Sequence, residues 1–214
     1  LPILIEALRG EGASRRLGLQ GLPLVGGAAV PKLRELLQDR RESVRNASIQ
    51  ALGMLGARAA ETTPDLVDLY RQGRAAPVLI LGTLSAIGSR ASPEAGQLAV
   101  EALNHPAIEV RQAAAEAIPH LGELALNPLV TLAVGRDTPL RRRAVDLLPA
   151  MAPYCLGILP IIASLAKDTE LPVRRAAIRT LGAIGPPAAD QVGLLCEALN
   201  DGDSDLRLAA ADAL

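Results

Sequence analysis

Few side chains in this sequence could do chemistry, and none of them stand at a recognisable spacing. The only imidazoles are His105 and His120, and the only thiols are Cys155 and Cys196, far apart in the chain. No HExxH, GxSxG, CxxC or phosphate-binding glycine loop accompanies them, so neither a metal centre nor a nucleophile with its base can be assembled from local sequence. Cys155 follows Tyr154 at an expected helix start, where an exposed thiol could react. The apolar neighbours of both cysteines point instead to buried, inert thiols. The remaining candidates are cations. Arg142, Arg143, Arg175 and Arg179 form a basic cluster whose planar forks suit carboxylate or phosphate oxygens.

The elements that carry these residues follow from self-comparison. The strings ESVRNASIQALGMLG, IEVRQAAAEAIPHLG and LPVRRAAIRTLGAIG align without gaps. Extended along the chain, the register places Arg15, Arg45, Pro77, Arg111, Arg141, Arg174 and Arg207 in one column, at nearly even intervals. Eleven positions on stand Gly26, Gly56, Gly88, Gly122, Ala152 and Gly185, which fit left-handed C-caps. Pro2, Pro31, Pro64, Pro93, Pro128 and Pro160 open a preceding apolar segment, where a missing N–H costs nothing. Each unit is therefore predicted as helix A, a polar turn, and helix B closing on glycine. The units fall near 1–25, 26–57, 58–89, 90–122, 123–152, 153–185 and 186–214, together forming one solenoid domain.

Helix B has a core face and an open face. Val173, Ala177, Leu181 and Ile184 repeat at helical spacing and belong to the core. Position eight after the arginine (Pro23, Gly53, Ser85, Pro119, Pro149, Gly182) suggests a bend with a tight helix contact. Positions one, five and nine fall opposite the core and vary from unit to unit. From this stripe Arg16, Asn46, Gln50, Gln112, Glu116, Arg142, Asp146, Arg175 and Arg179 are candidate partner-binding residues. Arg175 is expected in solvent near Arg142 and Arg179, whereas its neighbour Arg174 is expected between repeats. The third unit breaks the frame, with Pro77 in the arginine column and Arg71 six residues before it, so its stacking should be looser.

The pattern of Asp, a few residues, Val-Arg, two small residues, Leu-Gly and Ile-Gly resembles the HEAT-repeat family, in particular its short bacterial type. The resemblance covers essentially the whole chain and implies an all-α fold, a right-handed superhelix of about seven helix pairs. Asp39, Asp168 and Asp201 stand six residues before their arginines, and Asp137 four before Arg141. The resemblance implies that they form a structural ladder with Arg15, Arg45, Arg111, Arg141, Arg174 and Arg207, and that the B helices line a concave surface. The ladder arginines then stitch units together rather than bind ligands.

Composition bounds the rest. Aromatics are 1% of 214 residues, with no Phe or Trp, so the core must be thin aliphatic layers. The net charge is −1, without the basic footprint of a nucleic-acid binder. Segments 1–60, 61–135, 136–179 and 180–214 carry +4, −4, +4 and −5. The longest nearly apolar stretches, 75–88 and 154–166, fall short of a bilayer span, so no membrane insertion is expected. Cysteine usage favours a reducing, cytoplasmic setting. The chain opens without Met and closes inside a helical pattern, and it reads as a segment of a longer protein. The terminal units should expose Leu1, Ile3, Leu208 and Leu214.

These features favour a non-catalytic scaffold that binds a protein or peptide along the B helices, without metal or cofactor. Resemblance to phycobilin lyases and isomerases supplies an alternative, in which Arg142 and Arg175 would pair with tetrapyrrole propionates. A nucleic-acid-binding module of HEAT type comes third.

Overall fold

The computed structural model describes all 214 residues and contains helices and turns with no strand. Fourteen α-helices alternate as A and B members of seven pairs: α1 (Pro2–Arg9), α2 (Gly12–Val25), α3 (Val30–Leu36), α4 (Glu42–Leu55), α5 (Thr63–Arg71), α6 (Pro77–Ile87), α7 (Pro93–Glu101), α8 (Ile108–Leu121), α9 (Glu123–Ala133), α10 (Thr138–Leu147), α11 (Leu159–Leu165), α12 (Leu171–Ile184), α13 (Val192–Ala198) and α14 (Ser204–Ala213). They form two compact units, Leu1–Ala125 and Leu126–Leu214.

Proline sets the start of most A helices. Pro2, Pro31, Pro64, Pro93 and Pro160 all stand in a first turn, where no intrahelical partner awaits the N–H. Pro128 does not. It lies inside α9, which already begins at Glu123, directly after the glycine that ends α8.

The closing glycines are essential for a different reason from the one expected. Gly26, Gly56, Gly88, Gly122 and Gly185 have φ between 56° and 70°, but ψ between −129° and −150°. That region lies outside the left-handed helix and is essentially closed to residues with a Cβ. It turns the chain abruptly out of helix B. The fifth pair has Ala152 at this place and cannot make the turn. There α10 ends at Leu147, and residues 148–158 continue as 3₁₀ helix into α11. The resulting run, Thr138–Leu165, is 28 residues long and is the one stretch with the length and apolarity of a membrane span. It carries the three arginines 141–143 near its start, and it sends Met151, Cys155 and Ile162 into the core.

The core of each unit is aliphatic. In the first, Leu8, Leu22, Leu33, Ile49, Leu52, Leu66, Ile80 and Leu84 are fully buried. In the second, Val145, Leu148, Ile162, Val173 and Ala177 are. Each large side chain contributes about 1.5–3 kcal/mol of burial energy. Small residues let the B helices approach. A Cβ on Gly53 would sit 3.1 Å from Thr83 Oγ1, and one on Gly182 only 2.6 Å from Ala213 Cβ. The tight contact inferred at position eight is thus seen at both glycines. Buried hydroxyls cross helix seams of both kinds: Ser48 donates from α4 to the Leu33 carbonyl of α3 at 2.6 Å, and Thr83 from α6 to the Ile49 carbonyl of α4 at 3.1 Å. At the terminal helices Leu1, Ile3, Leu208 and Leu214 are exposed, at 38, 84, 62 and 60%.

Candidate functional site

The turns fix where every B helix starts. Four column arginines make the same pair of bonds with their own turn. The Nη1 groups of Arg45, Arg111, Arg174 and Arg207 donate to the carbonyls six and five residues back, at 2.6–3.2 Å. The aspartates do something separate. Asp39, Asp168 and Asp201 each accept the backbone N–H two residues on, at 2.8–2.9 Å, which closes the turn. His105 takes this place in the fourth turn, its Nδ1 accepting from Ala107 at 3.1 Å. Asp137, in the shortened turn, instead caps α10 through the Leu140 N–H.

At Arg15, Arg45, Arg141 and Arg174 the guanidinium also reaches forward to the next repeat. Arg15 reaches Ser43, and Arg45 donates from Nε to the Arg74 carbonyl at 2.9 Å. In the second unit Arg141 pairs with Asp168 and Glu170 at 3.2 Å, and Arg174 with Asp201 at 3.5 Å. The irregular third turn still receives its bond from Arg45. Pro77 has no guanidinium with which to pass one on.

Position one carries a second set of rungs that the sequence reading did not contain. Arg142 pairs with Glu170 at 2.7 Å. Arg175 pairs with Asp203 at 3.1 Å and Asp205 at 3.2 Å. Arg175 is therefore not a solvent cation: its side chain is 32% exposed, close to the 24% of Arg174. Arginine pulls hold Glu170 below the usual carboxylate range, led by the Arg142 hydrogen bond. Asp203 is lowered first by the Leu206 N–H and then by Arg175.

The stripe itself faces outward. Position five is exposed in all seven B helices, through Gln20, Gln50, Gly82, Glu116, Asp146, Arg179 and Asp212. Position nine is exposed wherever it exists, with Leu24 at 89% and Met54 at 49%, followed by Ala86, His120, Ala150 and Ala183. At position one Arg16, Gln112, Arg142, Val78 and Leu208 are exposed, whereas Asn46 and Arg175 are half-buried.

The stripe changes character along the chain. On α4 and α6 the stripe is uncharged, running from Asn46, Gln50 and Met54 to Val78, Gly82 and Ala86. On α10, α12 and α14 it is charged at the centre, with Asp146, Arg179 and Asp212 in successive B helices. Desolvation pushes the Asp146 carboxyl up, against the pull of Arg179 and Arg142. Arg179 hydrogen-bonds neither of the flanking aspartates. Between α12 and α14 an open groove of about 390 Å³ runs beside Arg179 and Asp212, with Arg175 and Asp205 at one end.

No three of His, Cys, Asp and Glu stand together as a metal site. Cys155 is buried, donates to the Met151 carbonyl at 3.3 Å, and has its pKa pushed up to about 11 by burial. Cys196 is exposed, contrary to the expectation that both thiols are buried.

These helix pairs, with an arginine-stapled turn and an open B-helix face, define a helical-repeat solenoid. The chain belongs to the HEAT-repeat family, whose model matches residues 1–81 and 126–214. The gap between the matches spans the fourth repeat, where His105 stands in the aspartate column. A solved HEAT-like repeat protein from the archaeon Thermococcus onnurineus NA1 is similar at 17% identity and TM-score 0.59, covering 98% of this chain and 94% of that one. The karyopherin Kap121p, solved with the extreme C-terminus of the protein phosphatase Cdc14p, is similar at 13% identity and TM-score 0.54. That match covers 98% of this chain and 28% of the karyopherin. The complex of CpcE and CpcF of phycocyanin lyase from Nostoc sp. PCC7120 is similar at 28% identity and TM-score 0.44, covering 91% and 80%. No curated protein matches the chain.

Proposed function

We propose that this chain is a non-catalytic scaffold that holds a protein or peptide partner against its B helices. One observation carries the reading: position five is open to solvent in every B helix while its identity varies along the chain. The frame residues are consumed by packing and by turns, which leaves this column to meet a partner. Extended exposed faces of this kind are what repeat proteins offer for binding. The contact set comprises Arg16, Asn46, Gln50, Gln112, Glu116, Asp146 and Arg179, with Arg142 and Arg175 contributing through their carboxylate pairs. A tetrapyrrole would have to displace Glu170 and Asp203 to use those two arginines.

The test is selection of binding peptides from a random display library, followed by hydrogen-exchange mapping of the complexes. Protection at the B-helix stripe supports the reading. Protection confined to the A helices, or failure to recover any binder, overturns it.

A further inference from the structure

The charged half of the stripe contains more information than a general binding face. Asp146, Arg179 and Asp212 occupy the same register position on α10, α12 and α14, so charge alternates negative, positive, negative across three adjacent B helices. All three side chains are exposed, and Arg179 attracts Asp146 without hydrogen-bonding either neighbour. Helices packed side by side lie about 8–10 Å apart. A polyproline II segment repeats its facing side chain every three residues and rises about 3.1 Å per residue, so the step is about 9 Å. A β-strand would turn every third side chain away, and an α-helix would need roughly six residues for the same distance.

The groove between α12 and α14 adds a direction. It is floored by Gly182, Ala183, Leu208 and Ala209 and flanked by Arg179 and Asp212. Its volume of about 390 Å³ lies at the small end for a ligand site, roughly 300–1,000 Å³. Polyproline II carries three rows of side chains, and a segment resting on two of them turns the row next to the charged one toward the groove. An apolar side chain directly after the residue that meets Arg179 would therefore enter it. Reversing the peptide would place that side chain on the wrong side of Arg179.

We propose that the α10–α12–α14 face binds an extended polyproline II segment with a basic, an acidic and a basic residue at steps of three, and an apolar residue between the acidic and the second basic one. This rests on the reading of the stripe as the partner face. The basic residues meet Asp146 and Asp212, the acidic one meets Arg179, and the apolar one fills the groove. Arg175, held by Asp203 and Asp205, forms a fixed wall at the end of the groove.

The experiment is fluorescence anisotropy on the whole chain at low ionic strength, with labelled Lys-Pro-Pro-Glu-Ile-Pro-Lys. The charge-reversed Glu-Pro-Pro-Lys-Ile-Pro-Glu is expected to bind about tenfold more weakly or worse. Arg179→Glu should weaken the first peptide about tenfold and regain affinity when its glutamate is replaced by lysine. Asp212→Lys provides a second swap should the first variant fold poorly, judged by circular dichroism. Equal binding of both peptides, absence of binding, or failure of both swaps to restore affinity overturns the proposal. If library-selected peptides of another pattern still protect the B helices, the charge code falls while the scaffold reading stands.

Discussion

His105 Nδ1 accepts the N–H of Ala107 at 3.1 Å, the bond that Asp39 makes to Arg41 at 2.9 Å two repeats earlier. A residue that looked like a candidate for chemistry is a turn closer. Replacing it tests this directly. His105→Asp should keep the stability of the parent chain, because the carboxylate makes the same bond. His105→Leu should lose about 1 kcal/mol, the usual cost of removing such a side-chain acceptor. Urea denaturation of the two variants gives the comparison.

Arg45 and Arg207 share a column but not a burden. Arg45 is 8% exposed and donates to three carbonyls, those of Asp39, Arg40 and Arg74. Arg207 is exposed and donates only to its own turn. Arg45→Ala should cost about 2–3 kcal/mol, since it removes a buried side chain and all three of its bonds to half-buried carbonyls. Arg207→Ala should cost under about 1 kcal/mol. Thermal or chemical unfolding that ranks them equally would contradict the structural account.

The sequence allowed the frame to be read because the frame is repeated. One nearly constant period placed the helix pairs, the arginines and the closing glycines. It also identified which B-helix faces are open, since Val173 and Ala177 fix the opposite side. Three things were hidden. Positive φ at Gly56 follows from residue type, but its ψ of −132° does not, because glycine admits several ψ regions at that φ. Pro128 looked like another helix start because a proline in the first turn and one within a helix look alike in a string. The rungs from Arg142 to Glu170 and from Arg175 to Asp203 each span 28 residues, one residue more than the 27 from Arg174 to Asp201. Self-alignment of single columns does not pair one column with another, so the partners of these arginines went unseen.

Asp203 gives the chain a dependence on acid. Its pKa is lowered in the folded state, first by the Leu206 N–H and then by Arg175. A carboxyl lowered on folding contributes stability above its unfolded pKa, near ~3.9, and loses it as pH falls through the lower folded value. Asp203→Asn keeps a capping oxygen for Leu206 but drops the ion pair and the titration. The variant should be less stable than the parent at pH 7, and the gap should close as pH falls through the lowered folded pKa of Asp203. Denaturation midpoints across that range decide it. A gap that persists unchanged at low pH would exclude the carboxylate as its source.

Two helical glycines should respond oppositely to a methyl group. A Cβ on Gly82 meets nothing within 4 Å, so Gly82→Ala should stabilise α6 by about 0.5–1 kcal/mol. A Cβ on Gly96 would run into the backbone carbonyl of Leu124. Gly96→Ala must push apart α7 and the start of α9, at a cost of about 1–3 kcal/mol. The sign of each change in melting temperature is the readout.

The turn ladder and the position-five column share no residue. A tandem duplication therefore copies the means of stacking intact and delivers a fresh blank at mid-helix. Substitution there changes the exposed face without touching the joinery on either side. Gln20, Gln50, Gly82, Glu116, Asp146, Arg179 and Asp212 amount to five distinct choices among seven such blanks. If that column is the partner face, as proposed, a single substitution there alters the partner while the stacking bonds stay as they are.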